Sequence, residues 1–354
     1  MYDVRSPGRV NLIGEHTDYT GGYVLPMATD LHTRLEAQLA DDVTVYSETI
    51  DDRASFSPDA FERDDEWIDY VKGVYHVLQD EGYDPGGFEG EITATLPLGS
   101  GLSSSASLEL AVLALLNEAY DLGLTREEMA LLGQRVENDY VGVSCGIMDQ
   151  FAVSLARDGH ALLVDTETLE YDLVPVPDDL QIIVFHTGVE RELTDSAYNQ
   201  RRETVEGALD RIGATTTKSL ADEDLADLPD LERRRLGYIS RENERVHEAT
   251  DALADGDLSS FGDTLVEAHR DIAEDYEASC DELDFFVDTA VAKGAYGARL
   301  TGAGWGGAGI AAVDPDDARS VAERTYDAYT DRFPELDPTH YLVEPSAGVE
   351  VTRE

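Results

Sequence analysis

The sequence predicts two α+β domains, and three observations point there. The chain has 354 residues, more than the commonest single-domain size. Its apolar residues, 42% of the total, suffice for sizeable cores. Segments with β-branched alternation prevail early, and helical periods prevail later with strands scattered among them. The expected division is 1–178 and 179–354, with the junction at Asp178-Asp179, after Pro175 and Pro177.

The elements follow in order. Residues 1–50 alternate short apolar runs with turn residues, and Gly21-Gly22 and Pro26 mark bends. FEGEITATL at 88–96 alternates and carries β-branched residues, so it reads as a strand. A loop from Pro97 to Gly101 leads into a helix over 103–120, with Leu108, Ala111, Val112, Leu115 and Ala119 at helical spacing. A second helix is expected over 125–139, with Thr125 as N-cap and Glu128 completing a capping box. Strands are expected at 160–164 and 181–186. Amphipathic helices are expected at 192–211, 230–254, 258–275 and 281–293. Strands at 297–301 and 308–313 flank a glycine loop, and a helix at 315–331 and a strand near 340–344 follow.

Three segments could carry chemistry. In Pro97-Leu98-Gly99-Ser100-Gly101-Leu102-Ser103-Ser104-Ser105-Ala106, a glycine loop runs from strand to helix. Such a loop can offer backbone N–H groups to phosphate, and its serines add hydroxyl donors and one candidate magnesium ligand. It lacks the GxxxxGK[ST] pattern, and serine is also favoured at an ordinary helix N-cap. In Pro7 to Tyr19, the groups Arg9, Glu15, His16 and Asp18 crowd ten positions among glycine and apolar residues. Carboxylates beside an imidazole suit the hydroxyls of a polyol, although a solvated turn would look the same. Thr301-Gly302-Ala303-Gly304-Trp305-Gly306-Gly307-Ala308-Gly309 suits close backbone packing, or simply a tight turn.

Together, in this order and spacing, the three segments resemble the GHMP kinase family, and 8–28 resembles its galactokinase signature. The likeness extends to 67–74, 145–151 and 275–280, so it covers nearly the whole chain. It implies an N-terminal domain like ribosomal protein S5 domain 2 and a ferredoxin-like C-terminal domain. The implied reaction is ATP-dependent phosphorylation of the C1 hydroxyl of galactose. By matching, Asp149 would be the catalytic base or an anionic positioner, and Arg9 its charge-stabilising partner. Glu15 and His16 would meet the sugar's hydroxymethyl group, Asp18 its C3 and C4 hydroxyls, and Gly146 and Tyr198 further atoms. Trp67 would line the adenine pocket, and Gly99, Ser100, Gly101, Leu102, Ser103, Ser104, Ser105 and Ala106 would hold ATP. Ser105 and Glu137 would ligate Mg2+. Thr20, Ala303 and Trp305 depart from common family residues without changing these groups. Two rivals stand beside this expectation: a kinase of N-acetylgalactosamine or another sugar, and a non-catalytic sugar sensor. The intact Ser103-Ser104-Ser105 run favours the enzyme.

Composition bounds the partners. No apolar run of 18 residues exists and no basic-then-apolar leader opens the chain, so a cytoplasmic protein with no membrane partner is expected. A monomer is the expected state. Cys145 and Cys280 form no disulfide framework or zinc spacing. Asp and Glu number 75 against 26 Lys and Arg, a net charge of −49, with only three lysines: Lys72, Lys218 and Lys293. That charge argues against nucleic acid as a partner, and such an acid coat resembles those of proteins from organisms with molar salt in the cytoplasm. Self-repulsion opposes the compact state in dilute buffer, and at 1 M salt the Debye length shrinks to about 3 Å. Activity and thermal stability should therefore rise with KCl into the molar range. A melting temperature and turnover already maximal without salt would refute this.

Overall fold

The computed structural model describes residues 1–97, 101–143, 145–189 and 194–353. Its contacts divide the chain into two compact α+β units, one comprising Met1–Arg9, Ala28–Asp158 and Ser346–Glu354, the other Val10–Met27 and Gly159–Pro345. Both units are discontinuous in sequence, whereas composition suggested one junction near 178–179. The proline-flanked acidic pair there only links strand Tyr171–Pro175 to strand Gln181–His186, and both strands belong to the second unit.

The first unit is built on a six-stranded sheet. Its order is Glu350–Arg353, Tyr2–Asn11, Pro26–Ala40, Gly87–Ala94, Val43–Ser47 and Asp52–Phe56. Strand Val43–Ser47 runs parallel to Gly87–Ala94, while Pro26–Ala40 runs antiparallel to it. The alternation of strands explains which side chains enter the core: Thr33, Leu35 and Ala37 are buried and the residues between them less so. Pro26 begins its strand instead of bending the chain, a position where its missing N–H costs no ladder bond.

Helix Ser104–Tyr120 is buried on most sides, with Leu110, Leu113 and Leu116 inside as well as Ala111, Val112 and Leu115. The single face read from spacing was too narrow because this helix is apolar nearly all round. Helix Arg126–Arg135 has the expected capping box between Thr125 and Glu128, but it passes into a π-helical turn, Val136–Val141. Helices Asp69–Asp80 and Met148–Leu155 were not expected from the sequence. The second is short, and the spacing of its apolar residues is submerged in a motif rich in other signals.

The second unit carries an antiparallel four-stranded sheet, ordered Gly297–Thr301, Ala308–Val313, Gln181–His186 and Thr339–Val343. A smaller sheet joins Tyr23–Val24, His160–Asp165 and Tyr171–Pro175. Helices Asp230–Asp255, Leu258–Asp271, Asp281–Lys293 and Ala318–Arg332 lie close to their expected ranges. Every residue of Gly297–Thr301 is buried, including Arg299. No helix among the described residues is long and apolar enough to cross a membrane.

Helix Leu258–Asp271 meets strand Gly297–Thr301 backbone to backbone. A Cβ on Gly297 would lie 2.0 Å from the Gly262 carbonyl oxygen, and neither main chain can yield as a flexible side chain would. Gly297→Ala should lower unfolding stability by about 2–3 kcal/mol, read as a shifted denaturant midpoint. An unshifted midpoint would show that the contact can open without cost.

Candidate active site

In the first unit, strand Tyr2–Asn11 presents Arg9. A guanidinium carries its donors in a rigid fork, so it can grip a carboxylate with two parallel bonds. Arg9 Nε donates to Asp149 Oδ1 at 2.7 Å and Nη2 to Oδ2 at 2.8 Å. Nη1 donates to the Gly101 carbonyl at 2.7 Å, and the Arg9 backbone N–H donates to the Leu102 carbonyl at 3.1 Å. Asp149 stands in the first turn of helix Met148–Leu155. Its side chain is 28% exposed against 7% for Arg9. The pair therefore keeps its accessible side on the carboxylate.

Ser103 departs from ordinary capping. It occupies the N-cap position of helix Ser104–Tyr120 in a left-handed conformation, φ 59° and ψ 50°, and its side chain caps nothing. Its hydroxyl donates instead to Asp149 Oδ2. Holding a non-glycine residue in that region costs on the order of 1–3 kcal/mol. Ser103, for which an ordinary cap was the alternative reading, is thus committed to the carboxylate.

Glu137 is the second residue of the π-helical turn and is buried. Burial pushes its carboxyl up, while a hydrogen bond from the Ser105 hydroxyl draws it back. Adjacent hydroxyl and carboxylate oxygens are donors that suit a hard cation. Among the described residues, no group of three or more His, Cys, Asp or Glu could hold a metal by itself. Burial, then the Glu137 and Asp149 charges, push the Cys145 thiol up and keep it protonated. Trp67 is partly exposed, packs on the core and donates through Nε1 to Asp52 Oδ2 at 2.7 Å. Leu102 and Ala106 have buried side chains, whereas Gly101, Ser104, Ser105 and Gly146 are partly exposed. Gly99 and Ser100 lie outside the described residues.

In the second unit, Glu15 and His16 are both buried. Glu15 forms an ion pair with Arg299 Nη2 at 2.5 Å and accepts the Gly302 N–H at 3.3 Å. Burial pushes its carboxyl up to about 7, with Arg299 opposing and Glu242 adding to the rise. His16 Nε2 lies 3.0 Å from the Ala303 carbonyl and Nδ1 3.0 Å from the Tyr19 hydroxyl. A carbonyl only accepts, so Nε2 carries the proton and Nδ1 accepts from Tyr19. Tyr276 then donates to Tyr19 at 2.5 Å. Aromatic rings surround the imidazole: those of Tyr276, Tyr198, Trp305 and Tyr19 have centroids 4.6, 5.5, 5.8 and 5.9 Å away. Arg201 lies over the Trp305 ring and Arg202 over that of Tyr19. Asp18 is partly exposed beside them in the turn that Thr17 closes with Gly22. The third glycine-rich segment packs closely, as its composition suggested: a Cβ on Gly304 would stand 2.0 Å from the Ala278 carbonyl oxygen.

Two groupings have now emerged, an Arg–Asp pair beside a serine-rich helix start and an acid–imidazole–aromatic cluster. The galactokinase galactose-binding signature matches residues 3–38, and the GHMP kinase N-terminal and C-terminal domains match 69–157 and 249–330. The chain is 54% identical to a galactokinase of Thermococcus kodakarensis and 49% to one of Pyrococcus furiosus, each over 98% of this chain and 99% of the relative. This chain belongs to the galactokinase family of GHMP kinases. The crystal structure of Lactococcus lactis galactokinase complexed with galactose superposes with a TM-score of 0.93 at 36% identity, covering 98% of this chain and 94% of that one. Mevalonate kinase of Methanococcus jannaschii, at 18% identity and a TM-score of 0.70, shares the fold. The two-domain GHMP kinase fold expected from the motifs is therefore the fold observed.

The galactokinase motifs located Arg9 with Asp149, Ser105 with Glu137, and His16 with Tyr198. Sequence reasoning missed Tyr19, Tyr276, Arg201, Glu242 and Arg299. Arg299 left one signal: the one charge in the strand GARLT, which needs a counter-charge if the strand is buried. Glu242 left none, since an acid on a charged helix is usually a solvated face.

Burial, set against the bond to Ala303, pushes the His16 imidazole down to about 4 from its ordinary 6.5. Between pH 6.5 and 4 the unfolded chain binds a proton that the folded one refuses. The His16 contribution is thus complete above 6.5 and declines as pH falls toward 4. His16→Gln cannot titrate in that window. The stability difference between wild type and His16→Gln should shift by about 3 kcal/mol against the wild type from pH 7 to pH 4, measured by urea midpoints. A difference constant with pH would refute the assignment.

Proposed function

We propose that this chain transfers the γ-phosphoryl group of ATP to the C1 hydroxyl of galactose, giving galactose 1-phosphate, with Asp149 and Arg9 at the reacting atoms. Family membership and the galactokinase relatives support the activity. The observation that carries the residue assignment is the two-bond grip of Arg9 on Asp149 beside Gly101 and Ser103.

The C1 oxygen attacks the γ-phosphorus, the new O–P bond forms, and the bond from phosphorus to the β-bridging oxygen breaks. The hydroxyl proton passes to Asp149 and later to solvent. A carboxylate is a weak base for a sugar hydroxyl, but phosphoryl transfer has a loose transition state, so the proton can leave late. Asp149 therefore acts first as an anionic positioner. Arg9 fixes the direction of the carboxylate and offsets negative charge growing at the attacking oxygen. The backbone and hydroxyls of Gly99 to Ala106 hold the phosphates, and Trp67 meets the adenine. Ser105 and Glu137 would hold Mg2+, which supplies charge neutralisation on the ATP phosphates. Asp18 takes the C3 and C4 hydroxyls, Glu15 and His16 the hydroxymethyl group, and Gly146 and Tyr198 complete the sugar contacts. Each chain carries every residue assigned, so a monomer suffices, and an enzyme consuming ATP belongs in the cytoplasm.

The test is ADP release over a panel of sugars in molar KCl with magnesium. Galactose should turn over, with N-acetylgalactosamine at least tenfold slower. Asp149→Asn should keep galactose binding by calorimetry and lose about 100-fold or more in kcat. Near-normal turnover in that variant would remove the assignment of Asp149, and turnover confined to another sugar would remove that of galactose.

A further inference from the structure

Arg299 sits with its side chain 0% exposed in the strand just before the third glycine-rich segment, and no step above uses it. Its Nη2 meets two carboxylates, Glu15 Oε2 at 2.5 Å and Glu242 Oε1 at 2.8 Å, both on side chains at most 1% exposed. Each carboxylate also binds a main chain. Glu242 Oε1 accepts the Gly14 N–H at 3.1 Å, and Glu15 Oε1 accepts the Gly302 N–H at 3.3 Å. Gly14 precedes Glu15, and Gly302 precedes Ala303, whose carbonyl meets His16. One guanidinium thus ties together the backbone before Glu15, the Glu15 carboxylate, and the loop that orients His16.

The charges continue outward in alternation. Arg245 Nη1 meets Glu242 Oε2 at 3.2 Å and also pairs with Asp271. Arg241 binds Asp271 at 2.6 Å and Asp275 at 2.7 Å, with its own side chain 44% exposed. A buried guanidinium shared by two carboxylates contributes little net stability compared with an apolar filling of the same volume. It does impose position, because both carboxylates must converge on the one Nη2, while Nε is held by the Leu300 carbonyl at 3.3 Å.

We infer that Arg299 and Glu242 are positioning residues for sugar recognition, holding Glu15 so that its carboxylate meets the sugar's hydroxymethyl group. The inference rests on the assignment of Glu15 made under the proposed function. It follows that loss of this hold should be felt by sugars that possess the C6 hydroxyl and hardly by sugars that lack it, because a site built to bond a hydroxyl discriminates through that bond.

The experiment compares galactose with 6-deoxygalactose in wild type, Arg299→Lys, Glu242→Gln and Glu15→Gln, all in molar KCl. Lysine keeps the charge but loses the bond from Nε to the Leu300 carbonyl that aims Nη2 at the two carboxylates. Glutamine at 242 keeps an acceptor for Gly14 and loses the charge, which makes it the milder change if Arg299→Lys folds poorly. Wild type should favour galactose in kcat/KM by about tenfold or more. Both Arg299→Lys and Glu242→Gln should raise KM for galactose toward that for 6-deoxygalactose, with KM for ATP and circular dichroism unchanged. Equal losses on both sugars, or a rise in KM for ATP, would mean a merely structural role and overturn the inference. If wild type fails to distinguish the two sugars, and Glu15→Gln leaves KM for galactose unmoved, the assignment of Glu15 itself falls and takes the inference with it.

Discussion

The first unit's site depends on the grip of Arg9 on Asp149. A rigid fork of donors fixes the carboxylate in two bonds, and a third donor, Ser103, meets the same group. Ser103 meets it from a left-handed backbone, a strained conformation for a residue other than glycine. The remaining guanidinium donor binds the Gly101 carbonyl. Strand, loop and helix are thereby referred to a single ion pair.

The second unit uses buried polarity in the opposite way. His16 is kept neutral by burial, and its two nitrogens are assigned by an acceptor-only carbonyl on one side and a tyrosine hydroxyl on the other. Burial pushes the Glu15 carboxyl up, and Arg299 opposes the rise. Unpaired, either group would be costly to bury. Paired, each has its orientation set by its partners.

A chain with a formal charge of −49 has few cations to spend. Two of its three lysines are largely buried against acids: Lys72 with Asp69 and the exposed Asp64, and Lys218 with Asp165 and the exposed Glu167. The side chains of both are at most 14% exposed. Exposed pairs contribute little, whereas these hold the turn before helix Asp69–Asp80 and the corner after strand His160–Asp165. Several arginines are likewise committed to carboxylates near the aromatic cluster, among them Arg235, Arg241 and Arg245.

The amino-acid sequence alone determined the class of fold, most helices and strands of the second unit, and the family, because periodicity and glycine-rich motifs are local and survive without coordinates. It also nominated Arg9 and His16, since charges among glycines stand out in a linear reading, whereas Asp149 came only from the family resemblance. Only the tertiary structure decided that the units are discontinuous, because a contact boundary need not follow a break in composition. Only it showed that Ser103 serves a carboxylate 46 positions away, and that Arg299 joins Glu15 to Glu242. Those pairings depend on which buried charges meet once the chain is folded, and sequence separation carries no record of that.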